Sequence, residues 1–245
     1  MLEWLLTPLS GSTDHQVSFL VSWHARLMVL AWGVLIPLGV IVARFFKVTP
    51  RQDWPSTLDN RFWWNWHRLL QYGGMALAAA GLALALASGS MSGAMRTAHA
   101  VLGFAVLALG VLQLVSAWLR GSKGGPTAPS PDGSLRGDHY DMTARRYAFE
   151  YAHKFGGMIA VAGSVAAIVT GLILADAPRW MMLAMLGWWC ALLAVFAVLQ
   201  RRGHAIDTYQ AIWGPGAGHP GNRTPTVGFG VRRLPPDATR PFGPR

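Results

Sequence analysis

Four histidines carry the chemistry that this sequence can support: His24, His67, His99 and His153. Each lies in a long apolar run, where ionisable side chains are costly and usually functional. One falls in each of four successive runs, close to its amino-terminal end. Successive spanning helices run in opposite directions, so depth pairs His24 with His99 and His67 with His153. In an up-and-down four-helix bundle, helices one and three are diagonal across the core, as are two and four. Imidazoles facing each other from diagonal positions form the axial set of a planar iron macrocycle. His24, His99, His67 and His153 are therefore the expected metal ligands, and the expected cofactors are two non-covalent b-type haems, about 20 Å apart by helix rise. A hydrogen-bonded imidazole without metal would explain any one histidine. It does not explain one per helix at two matched depths.

Small residues recur at helical spacing beyond the histidines: Gly103 and Gly110 after His99, Gly74, Ala78 and Gly81 after His67, and Gly157, Ala160 and Ser164 after His153. Such stripes serve close helix packing or leave room for a porphyrin. Alongside the histidines the second use is favoured, with Gly103 and Gly157 in the cofactor cradle. Haem propionates are anionic, and Arg96, one turn outward of His99, and Arg146, two turns outward of His153, are the expected partners. Both are also placed as ordinary interfacial cations. Two histidines per iron leave no open coordination position, which favours outer-sphere electron transfer over oxygen activation. The single cysteine, Cys190, excludes thiolate iron–sulfur ligation and covalent c-type haem.

The elements that must position these residues are transmembrane helices. Only 13% of the 245 residues are charged while 52% are apolar, against about a quarter charged in soluble domains. Five apolar blocks, 19–46, 63–88, 99–119, 148–175 and 180–200, are each long enough to cross a hydrocarbon core of about 30 Å as a helix. The residues before the first block include Glu3 and Asp14 rather than a basic leader, so it reads as a retained span and not a signal peptide. The fold class is thus an all-α integral membrane protein, with an up-and-down four-helix bundle binding two haems and a fifth transmembrane helix.

The net charge of +10 is sorted by membrane side. Arg44, Lys47, Arg51, Arg61, the basic 120–146 loop and the tail from Arg201 fall on one side, and little more than Arg26, Arg96 and Arg179 on the other. The positive-inside rule places the amino terminus outside and the carboxyl terminus in the cytoplasm. The surplus is a topology signal, and no nucleic-acid partner is expected. Residues 1–16 form a short outer segment, 17–176 the four-helix core, 177–202 the fifth helix, and 203–245 a basic Gly/Pro-rich tail expected to be disordered. Trp54, Trp63, Trp64 and Trp66 read as an interfacial belt, and 121–142 as a mobile loop. Pro37 would kink the first helix and free a carbonyl. His15, His139, His204 and His219 read as solvated surface positions. The Ala and Arg content suggests a bacterial inner membrane.

At these residues the chain resembles the cytochrome b561 family, particularly the core associated with DOMON domains. The similar segments are His-Ala-Arg-Leu-Met-Val-Leu-Ala-Trp-Gly from His24, running on to Pro37, Gly39 and Ala43-Arg44; Trp-Asn-Trp-His67; His99-Ala-Val-Leu-Gly103 with Gln113 beyond; and Arg-Arg-Tyr before His153-Lys-Phe-Gly-Gly. The likeness covers about residues 19–175. It implies two b haems with the same pairing and transmembrane electron transfer. Arg44 is similar to the Arg that closes the family's first core helix, and is a further cofactor-binding candidate by that resemblance. Neither a DOMON-like segment, nor the usual sixth helix, nor the basic motif linked to ascorbate is matched in these residues.

Two other functions fit parts of the pattern. One is a cytochrome b membrane subunit of a larger quinone-linked oxidoreductase, although such subunits often carry two haem ligands on one helix. The other is a haem-free transporter or scaffold that uses the histidines for protons or metal. The electron donor and acceptor, a quinone or a redox protein among the possibilities, are not specified by the residues.

Overall fold

The computed structural model describes residues 2–12, 17–89, 93–216, 218–238 and 242, so His15 lies outside the described residues, as does the side chain of His139. Among these the chain is helical: α1 (Leu2–Leu6), α2 (Phe19–Phe45), α3 (Arg61–Ala87), α4 (Ala94–Leu119), α5 (Asp138–Asp141), α6 (Ala144–Leu174), α7 (Arg179–Arg201) and α8 (Thr208–Trp213). Five of them, α2, α3, α4, α6 and α7, are long and apolar enough to cross a membrane. Their intrahelical hydrogen bonds satisfy the backbone groups that lipid cannot. The protein is a multi-pass membrane protein. Large apolar side chains such as Leu112, Trp118, Leu119 and Leu193 are exposed on these helices, as a lipid solvent permits.

The chain divides into two compact units, and the long helices contribute residues to both. The first comprises 1–38, 70–111 and 158–195. Its core gathers Ala31, Trp32, Ile36, Ala78, Val106, Ala160, Ile168, Leu172 and Met185. Within α2, Val29–Leu35 is π-helical, with the Ile36 N–H donating to the Ala31 carbonyl. Pro37 has no N–H to offer the Gly33 carbonyl four residues back. The Trp188 indole of α7 donates to that carbonyl instead, at 2.8 Å. The anticipated free carbonyl is thus used to bind another helix.

The second unit comprises 39–69, 112–157 and 196–245. Here the structure corrects three expectations. Trp54 and Trp63 are buried rather than interfacial, and the Trp54 indole donates to the Gln210 carbonyl at 3.4 Å. The 121–142 loop is tied down: Lys123 Nζ lies 2.6 Å from Asp59 Oδ2, and the Thr127 amide donates to the same oxygen at 3.2 Å. The third concerns the tail. Ala205, Ile206, Tyr209, Ala211 and Ile212 are buried, and Ile206 and Ala211 form a core with Val48, Trp54 and Leu234. Few apolar residues suffice here because folded loops supply the other half of that core. Composition alone does not register such a partner.

His219 is likewise buried and not a solvated surface residue. Its ring stacks on Trp213 at 5.4 Å and Tyr209 at 6.0 Å, and Nδ1 accepts the Gly221 N–H at 3.0 Å. Burial, and then the charge of Arg233, push its pKa from 6.5 down to about 4. A base whose folded pKa is lowered contributes stability in full above its unfolded value, and that stability is lost as pH falls toward the folded one. We expect His219→Phe, which keeps the stack, to flatten the fall in thermal stability between pH 6.5 and 4. Thermal unfolding across that range checks this, and an unchanged slope assigns the acid lability to other groups.

Candidate functional site

His24 projects from α2 and His99 from α4, and their ring centroids lie 6.3 Å apart with planes at 89°. His67 from α3 and His153 from α6 repeat the arrangement at 6.2 Å and 81°. Each pair lies within one unit: the first pair in the first, the second in the other. Two imidazole nitrogens each about 2 Å from one first-row metal ion put their ring centroids about 6 Å apart. Both pairs have that spacing.

The other ring nitrogens fix the imidazoles. His24 Nδ1 faces the Gly81 carbonyl at 2.9 Å, and His67 Nδ1 faces the Gly39 carbonyl at 3.0 Å. A carbonyl can only accept, so Nδ1 donates there and Nε2 is the nitrogen left over for a ligand. His99 Nδ1 lies 3.1 Å from Thr170 Oγ1, whose own hydrogen is directed to the Ala166 and Ala167 carbonyls. That hydroxyl therefore accepts from His99. His153 Nδ1 is buried without a hydrogen-bond partner among the described residues, and its ring stacks on Phe149 at 4.9 Å. Orienting a metal-binding histidine through its second nitrogen is a general device for such ligands.

The small-residue stripes divide between both uses considered for them. A Cβ at Gly74 would stand 2.7 Å from Ile36 Cγ1, and one at Gly110 would stand 2.8 Å from Met75 Sδ. These glycines permit close helix approach. Gly103 instead faces open space, with nothing within 4 Å of a built Cβ, and at Gly157 the nearest atom is Gln113 Oε1 at 3.7 Å. Gly171, not singled out from the sequence, lets the His99 ring pass: its Cβ would lie 3.1 Å from Cε1.

The arginines separate too. Arg146 is buried, with its guanidinium 5.2 Å from the Phe149 ring centroid and Nη1 without a hydrogen-bond partner among the described residues. Arg44 Nη2 donates to Gln200 Oε1 at 2.7 Å, and its guanidinium lies over Phe45 and Phe196. Arg96 is exposed in the first turn of α4. Residues that the sequence reading passed over surround the second pair. Arg120 is buried over Trp64 and Phe149, and Glu150 is buried and ion-paired with Lys154 at 2.5 Å. Glu150 had a legible signal, being the one carboxylate inside the five apolar blocks. Tyr209 lies beyond the fifth span in Ile206-Asp-Thr-Tyr-Gln-Ala-Ile-Trp213, a stretch distinctive in sequence that points to no mechanism by itself.

Known proteins share this region. A cytochrome b561, DM13 and DOMON domain-containing protein of Arabidopsis thaliana is 31% identical over 169 residues, 69% of this chain and 16% of that protein. Another Arabidopsis cytochrome b561 and DOMON domain-containing protein is 34% identical over 101 residues, 41% of this chain and 20% of its own. The chain belongs to the cytochrome b561 family. A Danio rerio protein named for ferric-chelate reductase 1 is 28% identical over 203 residues, 80% of this chain and 31% of that protein. The chain thus spans between about a sixth and a third of the length of these curated relatives. They are plant and animal proteins, which lend no support to the bacterial reading of the composition. No family model and no solved structure matches the chain.

Membership of the cytochrome b561 family implies that haem b is bound. The residues present fit that group: paired rings at metal-bridging distance, Nδ1 positions facing carbonyl or hydroxyl oxygen on three of the four rings, and an open flank at Gly103. Among the described residues no three His, Cys, Asp or Glu side chains converge as a metal cluster. Gly103→Leu, at a position where an added Cβ meets nothing within 4 Å, is expected to lower the haem-to-protein ratio by about one per chain while the protein still folds. Full haem content in that variant turns the Gly103 face away from the cofactor.

Proposed function

We propose that the chain is a transmembrane electron-transfer cytochrome holding two haems b, one between His24 and His99 and one between His67 and His153. The spacing of the two rings within each pair, 6.3 Å and 6.2 Å between centroids, carries this reading. Haem iron held there would supply a one-electron ferric–ferrous couple. In this reading α2, α3, α4 and α6 form the four-helix core over 17–176, and α7, within 177–202, is the fifth helix. The four imidazoles would hold one haem between each pair, and with two protein ligands to each iron the chemistry supplied would be outer-sphere electron transfer rather than oxygen activation. The carbonyls of Gly81 and Gly39 hold two of the rings, and Thr170 a third. The low-dielectric surroundings strengthen each contact.

Arg146, with an orphaned buried nitrogen beside Phe149, is the propionate partner for the second site, and Arg96 is its counterpart for the first. Gly103 and Gly157 leave the flanks open, and Arg44 anchors the end of α2 to α7 through Gln200. The distribution of basic residues supports an amino terminus outside and a cytoplasmic carboxyl terminus. Electrons then pass between the membrane faces, with a ferric chelate as the acceptor class that the names of several animal relatives point to.

Haem stoichiometry tests the ligand assignment. Wild type is expected to hold two haems b per chain, and His99→Ala and His153→Ala one each, read from reduced-minus-oxidised spectra normalised to protein. Unchanged haem content in either variant removes that histidine from the ligand set.

A further inference from the structure

Beyond the fifth span, α8 begins at the N-cap Asp207, whose carboxylate accepts the Tyr209 amide at 2.8 Å. That cap fixes the start of a helix otherwise too short to stand alone. It sets Tyr209 at a buried position, with its hydroxyl donating to Glu150 Oε2. The same hydroxyl accepts from Arg146 Nε at 3.4 Å. Glu150 also receives Lys154 Nζ at 2.5 Å, and Arg146 Nη2 stands 3.8 Å away. Lys154 in turn donates to the Val227 carbonyl at 2.7 Å, a second link to the chain after α7. A buried carboxylate receiving a hydroxyl and an ammonium, with a guanidinium beside it, is held as an anion.

Arg146, Glu150 and Lys154 share α6 with His153, and one of them, Arg146, approaches its ring through Phe149. Glu150 and Lys154 flank His153 on α6, and the Arg146 guanidinium lies over Phe149, which stacks on the His153 ring. We infer that Tyr209 and Glu150 are positioning residues of the His67–His153 site: the segment after the fifth span clamps Arg146 and places one fixed negative charge beside a basic cluster, and this sets the reduction potential there. The inference rests on the proposed haem assignment. Reduction adds an electron to the site, so a nearby carboxylate opposes it and loss of that charge favours it.

The test uses the full-length protein in detergent or nanodiscs, by spectroelectrochemical titration of both haems. His153→Ala identifies which potential belongs to the second pair. Glu150→Gln is expected to raise that potential and leave the other unmoved. Tyr209→Phe, which deletes a single oxygen, is expected to shift the same potential alone, and serves where Glu150→Gln fails to fold. Two haems with both potentials unmoved in the variants overturn this inference and leave the ligand assignment standing. A wild-type protein without haem overturns both.

Discussion

The rest of this structure is arranged around imidazoles set inside apolar helices, three of them held at Nδ1 by oxygens of neighbouring helices. A histidine at membrane depth must have its polar ring atoms satisfied or aimed at a ligand, because no solvent completes the shell. Here the backbone carbonyls of Gly81 and Gly39 and the hydroxyl of Thr170 occupy one nitrogen of His24, His67 and His99, and each ring lies 6.2 to 6.3 Å, centroid to centroid, from its partner. The glycines belong to the same constraint. Gly171 admits the His99 ring, and Gly74 and Gly110 permit close approach to Ile36 and Met75 on neighbouring helices.

The two pairs share this geometry but differ in surroundings. Around His24 and His99 the first unit has an apolar core of Trp, Ile, Leu, Met and Ala. The second unit is charged inside: Lys123 with Asp59, Arg146 and Lys154 with Glu150, and Arg233 with Asp207. Buried ion pairs of this kind add little net stability, because desolvation offsets attraction. They do hold their partners in one arrangement. In this unit they join loop to loop, turn to turn within α6, and residues within the segment after α7, while the hydrogen bonds of Tyr209 to Glu150 and of Lys154 to the Val227 carbonyl join that segment to the helix that carries His153.

The five spans, the four histidines and their pairing were legible in the sequence, because length, hydropathy and depth are local properties of a helix whose direction alternates. The bridging distance itself, and which glycines pack rather than cradle, were not. Gly103 and Gly110 are seven residues apart on one helix and look alike as letters, yet one faces open space and the other Met75. What a glycine does depends on the helix opposite it.

The region after the fifth span marks the same boundary more sharply. The sequence by itself determined a membrane protein with paired imidazoles, since apolar runs of spanning length and ionisable residues within them have few other physical readings. Only the tertiary structure decided that Tyr209, His219 and Trp54 are interior. Their burial comes from contacts among 47–60, 120–142 and 205–234, segments without periodicity that acquire a core only by meeting one another.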